Sequence, residues 1–322
     1  MRTYNEFEAR YLNPLTDFGF HKIFGTESNK DLLIDFLNQV IKEEGLITEI
    51  KHLNPEQLGN FETDRKAVFD IFCTTEKGEY FIVEMQKANH AFFRDRCIYY
   101  SSLPIQRQAL RGDWNFRLER VYLVAILDFI LFNEFEEDKN QIIEQVYFMR
   151  ERTKTIFSNK LKIAFVELPK FRKTEEELKT HFDKWLYILK NLPKLKVRPI
   201  SVQDEIFDKL FELSEIKRLK IEEMETYSKS VRDYYDVQLA MDYASEKGHE
   251  KGHNEGREEG REEGREEGRE EGHEKGREEG RLEGKILVIQ QCLKKNMAIE
   301  DIVFLTGFSK EQIDYYIING TM

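Results

Sequence analysis

Short apolar runs separated by polar turns dominate the first half of the chain, and this pattern is typical of β-strands. The predicted strands are Leu46–Leu53, Ala67–Cys73, Tyr80–Met85, Arg120–Leu131, Gln145–Thr155 and Lys162–Leu168. The turn that carries Gly78 is short enough to join the second and third of them as a hairpin. Arg120–Leu131 is apolar almost throughout, so we expect it in the middle of a sheet. The last two runs alternate like an antiparallel pair.

Apolar residues spaced three and four apart predict amphipathic helices between and after these strands. The helices span Asp31–Glu43, Phe92–Arg111, Thr174–Leu192, Asp204–Leu219 and Lys220–Tyr243. An earlier helix is expected to begin at Asp17, with Thr16 as its N-cap. Pro104 predicts a kink or a break in the helix that contains it. Strands and helices in this order indicate an α/β body with a C-terminal helical extension.

A low-complexity segment follows, in which glycine recurs at every fourth position from Gly248 to Gly284. Each glycine costs a helix roughly 1 kcal/mol relative to alanine, and Glu-to-Arg pairs three residues apart recover only part of this cost. We therefore predict a frayed, solvated helix or a flexible spacer over Glu246–Gly284. Beyond it, Ile299–Leu305 and Lys310–Ile317 predict a helix-turn-helix, which either reads DNA or contacts protein.

The chain has 322 residues and a formal net charge of −11, and this total charge alone disfavours nucleic acid as a partner. Two windows are nevertheless locally basic, Asn89–Gly112 and Tyr147–Ile163, and we expect DNA to bind there because phosphate binding depends on local charge. No apolar run is long enough to span a bilayer, and the N-terminus lacks the pattern of a signal sequence. We therefore predict a cytoplasmic protein with no membrane partner. The three cysteines lack metal-site spacing and are expected to be reduced and mostly buried: Cys73, Cys97 and Cys292.

Two carboxylates interrupt the apolar runs of the predicted hairpin, Asp70 in its first strand and Glu84 in its second. A carboxylate in a core costs free energy unless it is paired, and one bound cation can be the partner of both. Gln86 adds a third oxygen on the same side of the strand as Glu84. Oxygen ligands suit Mg²⁺, and hydrated Mg²⁺ suits phosphodiester hydrolysis. Either carboxylate taken alone is also compatible with a solvated strand face or a salt bridge.

The sequence Asp70 followed by Glu84-x-Gln86 resembles the motif of the PD-(D/E)XK nucleases, and most closely their branch of recombination-promoting nucleases and transposases. The strings that carry the resemblance are NPLTDFGFHKIFG, VFDIFC, FIVEMQK, RDRCIYYSSL, FVELPKF and the tetrapeptide repeat. The resemblance implies a restriction-endonuclease-like core, with a central mixed sheet flanked by helices. We accordingly expect a nuclease-like domain, a helical extension, a repeat spacer and a helix-turn-helix-like tail, at residues 1–200, 201–245, 246–284 and 285–322.

The last motif position departs from the family pattern, which usually has lysine where this chain has Gln86. Lys87 follows directly, but we expect it on the opposite face of the strand. Lys66 lies four residues before Asp70 on the same face of its strand, so it is the first candidate for the missing ammonium group. Lys22 on the first helix is the second candidate.

Two helices contribute further candidates. By resemblance, the first helix supplies an acidic residue to the metal site, and Asp17 takes that role. A first-turn aspartate is equally explained by the helix dipole. Arg96 and Tyr99 lie one turn apart on the helix after the hairpin. They either face the cleft and contact the DNA backbone or belong to a solvated basic face.

These observations predict a DNA endonuclease that depends on Mg²⁺, with Mn²⁺ as the alternative ion. The resemblance implies a setting in recombination or mobile-element DNA processing. Asp70, Glu84 and the carbonyl of Met85 would hold the metal, Gln86 would orient the attacking water, and Lys66 would stabilise charge on the phosphate. The general base is unassigned. A catalytically silent DNA-binding or scaffold protein and a pure protein-interaction protein are the alternatives. The sequence leaves a homo-oligomer open.

Overall fold

The protein is described here from a computed structural model, in which tertiary contacts divide the chain into two units. The first unit is Met1–Tyr243 and the second is Ala244–Met322. The structure describes residues 9–41, 45–54, 56–57, 67–109 and 114–320.

A six-stranded mixed sheet forms the centre of the first unit. In chain order the strands are β1 (Ile50–His52), β2 (Glu56–Gln57), β3 (Ala67–Val68), β4 (Ile71–Thr75), β5 (Tyr80–Gln86), β6 (Val121–Leu127), β7 (Ile143–Met149) and β8 (Ile156–Glu167). The sheet has the order β1-β4-β5-β6-β8-β7, while β2 and β3 pair separately. The strands β5, β6 and β8 are parallel, and β1, β4 and β7 pair antiparallel to their neighbours. All seven residues of β6 are buried, as predicted for a central strand.

Helices cover both faces of the sheet, which confirms the predicted α/β fold. In chain order the helices are α1 (Asp17–Phe24), α2 (Lys30–Val40), α3 (Phe93–Arg107), α4 (His181–Asn191), α5 (Glu205–Leu213), α6 (Ile221–Lys294), α7 (Ile299–Thr306) and α8 (Lys310–Asn319), of which α7 and α8 belong to the second unit. One core joins α1, α2, α4 and α5 to the face of β5 that carries Phe81, Val83 and Met85. The other core joins α3 to the face that carries Ile82. The alternation of side chains along β5 therefore assigns each neighbouring residue to a different helical layer.

The predicted strand Ala67–Cys73 is wrong in one respect, because the chain leaves the extended ladder at Phe69 and Asp70. Strand β3 ends before these residues and β4 begins after them. The main-chain N–H of Asp70 donates to a carboxylate oxygen of Glu84 at 3.4 Å, and the carboxylate of Asp70 accepts from the N–H of Met85 at 2.7 Å. Side-chain hydrogen bonds thus replace ladder hydrogen bonds at this position, and they place Asp70 directly before β4 rather than inside a strand.

Several predicted helix boundaries are also corrected. Pro104 lies inside the single helix α3 and does not split it, because Ser101 and Pro104 are buried against the sheet. The stretch predicted as one helix from Thr174 contains a 3₁₀ turn and then α4, since Thr180 caps a new start by accepting from the N–H of Asp183 at 3.0 Å. The stretch predicted as Asp204–Leu219 forms α5 and ends in a separate 3₁₀ turn. The N-cap predicted at Thr16 is confirmed, as its hydroxyl accepts from Gly19 at 3.1 Å.

The repeat segment is part of the long helix α6, and every residue from 246 to 284 is exposed. This agrees with the prediction of a solvated helix. In the second unit, the stretches predicted as Ile299–Leu305 and Lys310–Ile317 form the helices α7 and α8. Gly307 closes α7 at a φ of +70°, where a side chain would be strained, and Ser309 caps α8. A small core of Ile289, Ile302 and Ile313 holds these helices to the end of α6.

Trp185 provides a test of the core on the α1 face. It is fully buried, packs against Phe24, Phe36 and Phe207, and donates to Asp35 at 2.6 Å. Trp185→Ala should lower the free energy of unfolding by about 3–5 kcal/mol, the usual cost of removing a large buried ring. Urea titration followed by circular dichroism measures this change. Trp114→Ala is the matched control, because Trp114 is half-buried, and an equal loss in both variants would contradict the assignment of the core.

Candidate active site

The two predicted metal-binding carboxylates, Asp70 and Glu84, lie next to each other where β4 begins and β5 ends. Glu84 is on the α3 face of β5 and is only 7% exposed. Asp70 is at the open side of the pair and is exposed to solvent. The two reciprocal hydrogen bonds described above join Asp70 to Glu84 and to the peptide of Met85. The hairpin therefore brings the two carboxylates together. The observed contact of Met85 is made by its N–H, and the predicted role of its carbonyl as a metal ligand stays a prediction.

Gln86 extends the site toward α3, where it meets Arg96. The Arg96 guanidinium donates to the side-chain oxygen of Gln86, and the Gln86 amide nitrogen donates to the carbonyl of Ala88 at 2.9 Å. Both ends of the Gln86 side chain are therefore engaged by protein groups. These contacts fix its orientation and place a permanent cation beside the position where the family motif has lysine.

Tyr100, not Tyr99, is the tyrosine of α3 that belongs to this site. The Arg96 guanidinium lies 5.7 Å from the centre of the Tyr100 ring. Burial raises the pKa of Tyr100, and the neighbouring charge of Glu84 raises it further. Tyr99 is 45% exposed. Tyr99 lies three residues after Arg96 and was the predicted partner, whereas Tyr100, four residues after Arg96, is the side chain that faces the carboxylates.

The remaining predicted site residues have different positions. Asp17 is on the opposite face of the sheet, is largely exposed, and forms an ion pair with Lys87 at 2.7 Å. The negative charge of Asp17 raises the pKa of Asp70, and the positive charge of Lys87 lowers it, so both groups act on the site electrostatically. Lys22 pairs with Glu223 at 2.5 Å and is not directed to the carboxylates. Lys66 lies outside the described residues.

One model of a known protein family matches most of the chain. The model described as PD-(D/E)XK nuclease family transposase matches residues 14–244. The chain belongs to this family. The matched range contains the whole sheet and all the site residues described above. The comparisons with curated proteins and with solved structures returned no match.

In this PD-(D/E)XK protein, the carboxylate pair carries an electrostatic cost. Burial, and after it the adjacent charge of Asp70, raise the pKa of Glu84 to about 8. Asp70 is exposed as a whole residue, but its carboxylate lies against the Met85 peptide, and the protein around that group raises the pKa of Asp70 to about 6. Arg96 opposes both shifts but does not cancel them. The pair therefore retains one proton at neutral pH unless more positive charge is supplied.

A divalent cation fits this donor set. Within the described ranges, no three His, Cys, Asp or Glu side chains form a metal-binding group. The carboxylates of Asp70 and Glu84 are therefore the two charged ligands of this candidate site. Mg²⁺ is commonly held by one or two carboxylates and keeps several waters, so the pair suffices. Asp70 and Glu84 would hold the ion, and its positive charge would offset the cost of ionising the two carboxyl groups. The same argument applies to Mn²⁺, which also accepts oxygen ligands.

Asp128 lies at the same end of the sheet but serves a different contact. Its N–H donates to the carbonyl of Gln86 at 3.0 Å, which places it beside the last residue of β5. Its carboxylate accepts from the hydroxyl of Tyr234 on α6 at 2.7 Å. Asp128 therefore joins α6 to the sheet. It was not among the predicted site residues.

The basic window on α3 is largely occupied by contacts within the protein. Arg94 pairs with Glu134 at 3.1 Å and Arg107 lies 5.9 Å from the Phe72 ring centre. Arg96 contacts Gln86.

Among the residues that the structure describes, no helix has the length and apolar character needed to cross a membrane.

The raised pKa of Glu84 predicts how stability depends on pH without metal. This pKa is higher in the folded state than in the unfolded chain. The contribution of protonated Glu84 to the stability of the folded state is therefore complete below about pH 4.5 and is lost as the pH rises toward about 8. Glu84→Gln removes this titration and should therefore raise the melting temperature in EDTA at pH 8. Mg²⁺ should raise the melting temperature of the wild type at pH 8 and not that of the variant. Thermal unfolding measures both effects.

Glu76→Gln, an exposed change in the turn of the same hairpin, is the control and should leave the pH profile unchanged. Equal responses of wild type and Glu84→Gln to pH and to Mg²⁺ would contradict the proposed cost of ionising Glu84.

Proposed function

We propose that this protein is a divalent-metal-dependent DNA endonuclease that hydrolyses phosphodiester bonds. The observation that carries the proposal is the side-by-side position of Asp70 and Glu84 at the open end of β5, where burial leaves the pair in need of a cation. When bound, Mg²⁺ or Mn²⁺ would polarise the phosphate and lower the pKa of a water ligand. The family description, a nuclease family transposase, supports DNA as the substrate. A role in recombination or mobile-element DNA processing and a cytoplasmic location are part of the proposal.

The residues around the pair have separate roles in this proposal. Asp70 and Glu84 hold the metal, with the Met85 carbonyl as a further oxygen. Arg96 stabilises the negative charge that develops on the phosphate, in place of the motif lysine. Gln86 holds Arg96 in position and keeps one oxygen lone pair for the attacking water. The role of Lys66 as a second cation remains a prediction from the sequence.

Plasmid cleavage tests the role of the carboxylates. We expect Mg²⁺-dependent nicking by the wild type that EDTA abolishes, and a loss of at least about 100-fold in Asp70→Asn and in Glu84→Gln, because each removes a metal ligand. Asp128→Asn is the matched control: it changes a partly buried carboxylate at the same end of the sheet and should retain activity within about threefold. Equal nicking by all four proteins would show that the activity does not arise at this site.

The role of Arg96 can be separated from that of the metal ligands. Arg96→Gln should lower kcat by about 10- to 100-fold with little change in Mg²⁺ dependence, because it removes a charge that stabilises the transition state. If Arg96 substitutes for the motif lysine, Gln86→Lys in the Arg96→Gln background should recover part of this loss. Single-turnover cleavage rates of the four combinations measure the coupling. A double variant less active than Arg96→Gln would argue against the substitution of one cation for another.

A DNA-binding protein without cleavage activity is the second candidate function. It is favoured by Gln86, which carries no charge at the position of the motif lysine. This candidate predicts salt-sensitive DNA binding by the wild type, unchanged in Asp70→Asn, with no metal-dependent nicking in either protein.

A further inference from the structure

The outer parts of β7 and β8 project beyond the rest of the sheet as a two-stranded ribbon, residues 147–160. The pairing of β8 with β6 begins at Leu161, so residues 156–160 pair only with β7. The register shifts on both sides of Phe148, where Tyr147 faces Lys162 but Phe148 faces Ser158. Such bulges bend a ribbon and change the direction of its side chains. The ribbon is therefore a separate structural feature and not an extra layer of the core.

The ribbon is basic although the chain is acidic. It carries Arg150, Arg152, Lys154 and Lys160 against a single acid, Glu151. The first three cations are exposed, and in the described part of the chain none of the four side chains forms an ion pair. Elsewhere in the first unit many cations are paired with carboxylates, including Arg10, Lys22, Lys30, Lys87, Lys173, Lys184 and Lys209. Unpaired positive charge on a chain with a net charge of −11 indicates an anionic partner.

The ribbon also exposes large apolar side chains between its cations. Phe157 is 77% exposed and Phe148 is 54% exposed, and both Met149 and Ile156 are about half exposed. Lys154 is in the turn at a φ of +52°, a conformation that asparagine adopts more readily than lysine. The cation at this position is therefore not required by the turn.

We propose that this ribbon binds duplex DNA, with its cations on the phosphates and its apolar side chains in the major groove. A two-stranded ribbon has the width that the major groove of B-DNA admits. Phosphate contacts by Arg and Lys supply affinity without sequence preference. The inference rests on the proposed function in taking DNA as the ligand, but it does not require cleavage.

The ribbon is at the opposite end of the sheet from the carboxylates. Phe165 is level with Ala125 and Glu84 in the register, and Ile156 lies nine residues earlier on β8. At ~3.3 Å per residue this separation is roughly 30 Å. A duplex rises ~3.4 Å per base pair, so the two places are about one helical turn apart on DNA. The ribbon would thus hold DNA that flanks the cleavage position.

Fluorescence anisotropy on a 30-base-pair duplex in EDTA tests the proposal without cleavage. The combined variant Arg150→Gln, Arg152→Gln and Lys154→Asn should weaken binding at least about tenfold and reduce the salt slope by about three, because three phosphate contacts are lost. Asparagine is chosen at residue 154 to preserve the turn. The matched control changes Arg257, Arg261 and Arg265 to Gln on the exposed repeat and removes the same charge. It should bind like the wild type.

Unchanged affinity in the ribbon variant would overturn the proposal, and so would an equal loss in the repeat variant, since that would indicate bulk charge. Self-association of the ribbon variant in size-exclusion chromatography with unchanged DNA affinity would instead assign the cations to protection of an edge strand, and this too overturns it. Weaker binding to anionic vesicles with unchanged DNA affinity would point to a lipid surface. If Asp70→Asn nicks DNA as well as the wild type does while the ribbon variant loses DNA affinity, the proposed active site is wrong and the proposal of a DNA-binding ribbon stands.

Discussion

The candidate site depends on one constraint: two carboxylates of like charge, those of Asp70 and Glu84, are held side by side with limited access to solvent. Asp70 and Glu84 lie at the junction of β4 and β5, and each is fixed by a hydrogen bond to the other strand. Folding therefore positions the carboxylates whether or not a metal is present, and the cost of ionising them remains until a cation arrives. Under the proposed function, the geometry that makes the ionised pair unfavourable alone would also preorganise it for a divalent ion.

The position of the positive charge distinguishes this chain from the usual motif of its family. The motif has lysine two residues after the glutamate on β5, whereas here Arg96 reaches the same place from α3. A guanidinium is charged at every relevant pH and donates in a fixed plane, so it stabilises an oxyanion but cannot act as a general base. Under the proposed function, the transfer of the charge to a helix would separate electrostatic stabilisation from proton abstraction: Arg96 would supply the first, and the general base stays unassigned.

The two ends of the sheet have different characters. The end that carries Gln86 has charged groups on both faces, with Arg96 from α3 on one face and the Asp17–Lys87 pair on the other. Asp128 connects this end to α6 through Tyr234. The other end continues as the basic ribbon. Because β5, β6 and β8 are parallel, one sheet can present a reactive edge and a binding arm in opposite directions.

Local pattern alone was sufficient for the α/β fold, the buried strand β6, the cap at Thr16 and the closeness of Asp70 and Glu84. Each of these depends on side-chain alternation or on residues joined by a short turn, which are properties of neighbouring positions in the sequence. Only the tertiary structure showed that Asp70 leaves the strand, that Arg96 and Tyr100 face the carboxylates, and that Lys22 faces α6. These depend on how an element rotates against partners distant in sequence, and the packing of two cores on opposite faces of β5 sets that rotation.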